Sequence, residues 1–379
     1  MADDTIVKIL DRRDIQNKKT STLQQILGRP KKKILLYGAG AFGRETYLDL
    51  RKNGIPVIAF LDINAQPGKT LFDAPVRKPD NDCLPGSDRR DITVILSIVL
   101  PAPARNEIIS YLQRLGYRDI IDAQTIRALR IPYSPEKMEP VQENLHNERK
   151  NLLSAFSLMA DEESSRIFTA NLRAHLEREY SETPESIGTT QYREPNIPRD
   201  MRLERFVDCG AYTGDTLSSL AKRGKTTDYA GFEPGQQSFL QLKLTAEVLK
   251  STITCSVYPY AVSDHEGMMN FSDIAGSGSL DVSGKAEVRV VRLDDVLCEF
   301  QPTMIKMDIE GEEYRALLGA REIIRKYRPD LAICVYHYIS DLWRIPNLIE
   351  SWDLGYTFYL RTHSSATMET VLYAIPREG

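Results

Sequence analysis

The stretch Phe206-Val207-Asp208-Cys209-Gly210-Ala211-Tyr212-Thr213-Gly214-Asp215-Thr216 decides the fold. An apolar strand runs into a glycine-rich turn, and Asp215 and Thr216 read as the start of a helix. A strand that passes through glycines into a helix is the opening unit of an α/β sheet. The spacing is DxGxxxG with a bulky Tyr212 in the middle. It suits a ligand that lays an amino-acid portion, rather than a pyrophosphate, against the turn. Gly210 and Gly214 permit close backbone approach, and Asp208 offers a carboxylate for an ammonium. Glu233 ends the next strand, 23 residues after Gly210. A carboxylate there can accept both hydroxyls of a ribose, and Pro234 then breaks the chain.

S-adenosylmethionine has that shape, and the rest of the C-terminal half agrees with a sheet that could hold it. Strand patterns recur at Tyr229 to Phe232, Thr252 to Val257, Met304 to Asp308, Leu331 to Val335, Tyr356 to Leu360 and Val371 to Ile375. With Phe206 and Val207 these make seven strands. Gly276 to Ser279 reads as a mobile Gly/Ser loop.

Further motifs accompany the turn: Glu233-Pro234, Ala261-Val262-Ser263-Asp264, Arg292-Leu293-Asp294-Asp295 and Ile305-Lys306-Met307-Asp308-Ile309-Glu310-Gly311-Glu312. Together they resemble the FkbM family of S-adenosylmethionine-dependent methyltransferases, from about Phe206 to Ile375. Gln191-Tyr192 resembles a short element that often precedes this domain in glycan-associated members. The resemblance implies a seven-stranded class I methyltransferase sheet with its last strand antiparallel. It also implies that Asp208, Gly210, Ala211, Tyr212, Thr213, Gly214, Asp215 and Thr216 cradle the methionine portion of the cofactor. Glu233 and Pro234 would then lie at the ribose, and the turn from Ala261 to Asp264 near the adenine.

A second glycine turn lies upstream. Gly38, Gly40 and Gly43 form GxGxxG between a strand, Ile34 to Tyr37, and a helix through Leu50. Asp62 ends the following strand, 22 residues beyond Gly40. Such a turn brings backbone N–H groups to a phosphate at a helix N-terminus, and the acid can hold ribose hydroxyls. A tight turn without a ligand is the alternative. The lead from Lys33 to Asp62, with Gly68, Ala74, Pro75 and Val76, resembles the small Rossmann-like domain that precedes sugar acyltransferases and other glycan-modifying enzymes. That resemblance covers roughly residues 33 to 125 and implies a nucleotide or nucleotide sugar. The second mononucleotide half of a full dehydrogenase is not visible.

Methyl transfer to oxygen needs a base or a metal at the acceptor. Asp308 ends the fourth strand at the carboxyl edge of the sheet and is the first catalytic candidate. Glu310 and Glu312 read as openers of the next helix, where acids commonly serve the dipole, and Glu310 is the second candidate. His337 ends the fifth strand, as a base or as a hydrogen-bonded strand-end histidine. Lys306 shares a strand face with Asp308 and calls for a carboxylate partner. No histidines cluster at metal-ligand spacing, so no His-based zinc site is expected, while a hard cation held by Asp308 and a neighbouring acid stays open. Tyr336, Tyr338, Trp343, Arg361 and His363 are placed where they could hold a sugar ring or simply form core and rim.

Composition sets the outer limits. The 379 residues are 42% apolar and 27% charged, ordinary for a globular chain of two or three domains. With 49 Lys and Arg against 53 Asp and Glu, the net charge is −4, which gives nucleic-acid binding little support. The longest apolar run, Ile92 to Leu100, is too short to span a bilayer. Acidic Met1 to Asp4 lead into no signal core, so a cytoplasmic address follows. The five cysteines read as reduced packing residues.

The expected organisation is an N-terminal helical lead (1–32), a Rossmann-like nucleotide-binding domain (33–130), a helical insert and linker (131–200) and a methyltransferase domain (201–379). Phe168, Leu172 and Leu176 share a helical face in the insert, with Asp161 as N-cap. Its stripe fits either a cover over the cofactor cleft or a homodimer face. The expected activity is S-adenosylmethionine-dependent O-methylation of a sugar or glycan precursor. A non-catalytic nucleotide-binding module in glycan assembly and an NAD-dependent oxidoreductase are the alternatives.

Overall fold

The computed structural model describes residues 6–7, 33–52, 54–83, 89–98, 102–122, 141–177, 184, 186, 190–192, 195–274, 277–280, 286–364 and 367–377. The helical lead, apart from residues 6–7, therefore lies outside the described residues, as do Gly276 and the side chain of Leu176. The chain divides into two compact units. One is Met1–His146 with Ala170–Glu185 and Ser364–Thr367, and the other is Asn147–Thr169 with Ser186–His363 and Met368–Gly379.

In the first unit a six-stranded sheet has the order β3-β4-β2-β1-β5-β6. Its strands are β1 (Lys33–Tyr37), β2 (Val57–Leu61), β3 (Thr70–Leu71), β4 (Ala74–Arg77), β5 (Ile92–Leu96) and β6 (Asp119–Asp122), with helices α1 (Ala41–Lys52) and α2 (Ala102–Arg114). All pairings are parallel except the β3/β4 edge hairpin. Both faces are covered, as the unbroken apolar strands require. Ile34 and Leu36 enter one core, Leu35 and Tyr37 the other.

Two helices come next, α3 (Val141–Ser157) and α4 (Glu162–Glu177). Asp161 caps α4: its Oδ1 accepts the Ser164 N–H at 2.7 Å. Phe168 and Leu172 are fully buried.

The second unit is built on a seven-stranded sheet of β7 (Arg205–Cys209), β8 (Asp228–Phe232), β9 (Thr254–Tyr258), β14 (Met304–Met307), β15 (Asp330–Cys334), β16 (Tyr356–Thr362) and β17 (Thr370–Pro376). Its order is β16-β17-β15-β14-β7-β8-β9, and only β17 runs antiparallel to its neighbours. All seven strands expected from the apolar runs are present. The helices are α5 (Asp215–Ala221), α6 (Gln236–Leu249), α7 (Leu293–Val296), α8 (Glu313–Leu318), α9 (Arg321–Tyr327) and α10 (Asp341–Glu350).

A second, four-stranded sheet was not anticipated. It orders β10 (Tyr260–Val262), β13 (Ala286–Val291), β11 (Gly267–Ile274) and β12 (Ser277–Leu280). Ser277 to Ser279, read as loop from their small polar residues, are strand because β11 offers them an antiparallel ladder. Backbone pairing of this kind carries no hydrophobic signature in the sequence.

Asp330 anchors the start of β15. Its fully buried carboxylate takes Arg199 Nη1 at 2.9 Å, Arg202 Nη2 at 2.8 Å and the Arg202 N–H at 2.9 Å. Asp330→Ala would leave two guanidinium groups facing each other without their counter-charge. An expected loss of about 3 kcal/mol, the low end for breaking a buried pair, is checked by urea denaturation.

Candidate functional site

The site sits at the carboxyl ends of β7, β8, β14 and β15. Period-two alternation puts Asp208, Lys306 and Asp308 on one face, and Lys306 pairs in register with Asp208. Lys306 Nζ lies 2.9 Å from Asp208 Oδ1 and donates to Gly210 O at 2.6 Å, while Tyr229 OH donates to Asp208 Oδ2 at 2.7 Å. Burial works against the charge of Lys306, but Asp208 and then Asp308 outweigh it and raise its pKa. The ammonium facing Asp208 is therefore that of Lys306. Asp208 holds the turn from behind, which corrects the expectation that it meets a ligand's ammonium.

The turn itself is tightly built. Gly210 has φ +79°, and a Cβ there would stand 1.9 Å from the carbonyl oxygen of Asp308. No side chain fits, so the turn and the end of β14 touch backbone to backbone. Gly214, φ +83°, packs against Thr245, whose hydroxyl donates to Thr213 O at 2.9 Å. Gly210→Ala is expected to be poorly folded or strongly destabilised, visible as a lowered melting temperature, through both strain and the clash. Ala211 is buried, Tyr212 is exposed with φ +46°, Asp215 is exposed at the first position of α5, and Thr216 is half-buried.

Glu233 closes the back of this turn. Its Oε2 accepts the Tyr212 N–H at 2.9 Å and its Oε1 the Gly235 N–H at 2.7 Å. Pro234 follows and leads into α6.

The adenine expectation is half corrected. Ala261 is not in a turn but on β10, with its side chain in the small sheet's core beside Phe271, Val288 and Val290. Asp264 does lie in the following turn, where Oδ1 pairs with His265 Nδ1 at 2.8 Å. The Arg292-Leu293-Asp294-Asp295 motif also turns out to be structural. Asp294 accepts the Ile323 and Glu322 N–H groups and so caps α9.

At the end of β14 Asp308 is gripped by two phenols: Tyr192 OH donates to Oδ2 at 2.8 Å and Tyr336 OH to Oδ1 at 3.0 Å. Burial pushes its carboxyl up. The charges of Lys306 and His337 and the two phenol hydrogen bonds outweigh burial and hold it below the usual carboxylate range. Tyr192 had been singled out only by its resemblance to a family element. It is buried, with φ +65°, and its ring lies beneath Lys306 Nζ at 5.2 Å.

His337 is ringed by carboxyl groups. Its Nδ1 lies 3.0 Å from Glu313 Oε1, and its Nε2 lies 3.5 Å from Glu310 Oε2 and 3.7 Å from Asp308 Oδ1. Burial opposes its protonation, but Glu313, Glu310 and Asp308 overcome this and push its pKa up to about 10. Alone it is an imidazolium among carboxyl groups. Glu310, expected in a helix, sits in the turn before α8 with φ +58°. The helix opens at Glu313, whose carboxyl reaches back to the Ile309 N–H at 2.8 Å.

Arg361 and Trp343 leave the sugar-contact set. Arg361 is 1% exposed and bound by Asp161, Ser164 and the carbonyls of Pro195 and Asn196. Trp343 is buried and donates to Glu148 at 3.1 Å. His363 accepts or donates to Tyr373 OH at 2.8 Å, and burial with Arg361 nearby pushes its pKa down to about 4. Tyr338, half-buried, packs its ring over Gly311, leaving no room there for a Cβ.

One acid was missed. Glu369, just before β17, accepts from Gln191 Nε2, which also donates to Tyr192 OH at 2.9 Å. Burial, then the Asp308 charge, push its pKa up to about 7. A carboxyl raised in the folded state is stabilising while protonated, so its favourable contribution is lost as pH rises from the ordinary Glu value towards about 7. Glu369→Gln should flatten the fall in melting temperature over that window and be the more stable form at pH 8.

In the first unit, Gly38 has φ +108° and Gly43 packs so closely that a Cβ would lie 2.0 Å from Gly38 O. Nothing lies within 4 Å of a Cβ at Gly40. Asp62 repeats the Glu233 arrangement: Oδ2 accepts the Ala39 N–H at 3.0 Å and Oδ1 the Asn64 N–H at 2.8 Å.

Among the described residues no helix is long and apolar enough to cross a membrane. Residues 208–358 match the family profile described as Methyltransferase FkbM domain. The whole fold is similar to the crystal structure of Methyltransferase FkbM from Methylobacillus flagellatus KT. That likeness has a TM-score of 0.69 at 22% identity and covers 98% of this chain and 99% of that one. No curated protein matches the chain. The sheet order with a single antiparallel strand and the glycine turn backed by Glu233 agree with that match: residues 208–358 are similar to an FkbM methyltransferase domain.

Proposed function

We propose that the chain transfers the methyl group of S-adenosylmethionine to a hydroxyl of a sugar or glycan precursor. The observation that carries this reading is the backbone contact between Gly210 and Asp308. It makes the ligand turn and the candidate catalytic acid one rigid unit. The residues fit the cofactor: a side-chain-free cradle at Gly210 and Gly214 for the methionine portion, and the Glu233 carboxylate beside the turn for the ribose. S-adenosylmethionine would supply an electrophilic methyl on a sulfonium. The chain's own residues supply position and charge. Tyr192, Tyr336 and Lys306 hold Asp308 ionised, and Asp308 receives the hydrogen bond, and in the end the proton, of the acceptor hydroxyl.

The test is incubation of the protein with methyl-labelled S-adenosylmethionine and a panel of sugars and nucleotide sugars. Label appearing in an alkali-stable ether on a sugar is the expected result. Label found only on nitrogen acceptors, or release of no demethylated cofactor with any acceptor, would refute O-transfer.

The open space over Gly40 and the spare acceptor sites of Asp62 favour a second ligand, a nucleotide or nucleotide sugar, on the first unit. Equilibrium dialysis with uridine and adenosine diphosphates and their sugars should show binding that Asp62→Ala abolishes.

A further inference from the structure

The geometry points to a divalent cation site at the carboxyl ends of β14 and β15, with His337 Nε2, Asp308 Oδ1 and Glu310 Oε2 as ligands and Glu313 as the partner of the imidazole's other nitrogen. One ligand atom each from Asp308, Glu313 and His337 already lies within 4.8 Å of the other two. His337 Nε2 is 3.5 Å from Glu310 Oε2 and 3.7 Å from Asp308 Oδ1, too far for hydrogen bonds. Ligand atoms at about 2.1 Å from a metal stand about 3.0 to 3.4 Å from one another, so Nε2 is within a few tenths of an ångström of the spacing that a shared cation would set to each carboxyl group.

The independent sign of a ligand is His337 itself. Its side chain is 9% exposed, yet Nε2 makes no hydrogen bond and aims at the two carboxyl groups. Its opposite nitrogen, Nδ1, stands 3.0 Å from Glu313 Oε1. A carboxyl behind a histidine ligand, setting its tautomer and orientation, is the usual companion of metal-bound imidazole. Burial separates the two roles. Glu313 is fully buried and also tied to the Ile309 N–H, whereas Asp308 and Glu310 are 23% and 33% exposed. The cluster therefore has a closed back and an open front. One imidazole with two carboxylates suits a first-row transition ion of the Mn²⁺ to Zn²⁺ range, with open positions for oxygen ligands.

What the cation would do rests on the methyl-transfer reading. It would bind the acceptor's hydroxyl, lower its pKa and fix it beside Asp308. Binding itself does not depend on that reading.

The experiment is titration of the metal-stripped full chain with Mn²⁺, free ion being followed by electron paramagnetic resonance. Circular dichroism verifies folding of each variant. One equivalent should bind the native chain, and His337→Gln should abolish it. Glu313→Gln should weaken it about 10- to 100-fold with unchanged stoichiometry. Should His337→Gln not fold, Glu310→Gln, at a partly exposed turn position, serves in its place with the same expected loss. Folded native chain that binds no Mn²⁺ at millimolar concentration would overturn the proposal, as would equal binding by folded His337→Gln or Glu310→Gln. S-adenosylmethionine binding is measured on the same samples. Its presence without Mn²⁺ binding defeats the cation site alone, and its absence defeats the methyl-transfer reading.

Discussion

Asp308→Asn is expected to lower methyl transfer by about 10²- to 10⁴-fold, the usual contribution of a positioned proton acceptor, while leaving cofactor affinity within about 3-fold. The amide preserves the shape of the side chain but has one acceptor oxygen for two phenol donors, Tyr192 and Tyr336. It also removes the charge that the buried Lys306 ammonium and His337 face. The acceptor hydroxyl then has no anion to receive its proton. Formation of demethylated cofactor, read under saturating cofactor and acceptor, separates this from a binding defect. Turnover within 3-fold of the native chain would mean that another group takes the proton. Glu369, with its pKa near 7 and its link through Gln191 to the same phenol, would then be the group to test.

Glu233→Ala carries the second large effect, an expected loss of about 10²-fold in cofactor affinity. Hydrogen bonds to a charged group contribute about 1.5 to 3 kcal/mol each, and two ribose hydroxyls at one carboxylate account for the factor even with part of the gain offset. The same change frees the N–H groups of Tyr212 and Gly235, so the turn loses its internal tie as well as its ligand contact. Glu233→Gln distinguishes the two causes. With one oxygen retained it should cost about tenfold and keep more of the turn's rigidity. Both are measured by calorimetric titration, and an unaltered affinity in folded Glu233→Ala would remove the ribose assignment.

The strand-turn-helix units were legible because their signals are local. Apolar runs with period-two faces ended at Gly210 and Gly38, positions where a left-handed φ and a close contact admit only glycine. The acids at Glu233 and Asp62 were legible from spacing, since the next parallel strand must end beside the turn. Side-chain pairing between distant segments was harder to read. That Lys306 shares its strand face with Asp308 was evident. That its carboxylate partner is Asp208 on a neighbouring strand follows only once β14 is known to pair with β7. His337 looked like a base because the three carboxyl groups around it come from 24 to 29 residues upstream, outside any spacing rule. Arg361 and Trp343 looked like rim and are buried, because α3, α4 and the segment before β7 supply partners that no local pattern announces. The four-stranded sheet was hidden for a different reason: its core face is small, limited to Ala261, Phe271, Val288 and Val290, and its edge strand β12 is held by a ladder of small and polar residues.

Cofactor binding is the claim on which the rest depends, and isothermal titration calorimetry of the folded full chain with S-adenosylmethionine and its demethylated product tests it most directly. The expected result is one equivalent of each bound per chain, with affinity that falls about 10²-fold in Glu233→Ala and stays within about 3-fold in Asp308→Asn. Folded native protein that binds neither ligand would contradict the account.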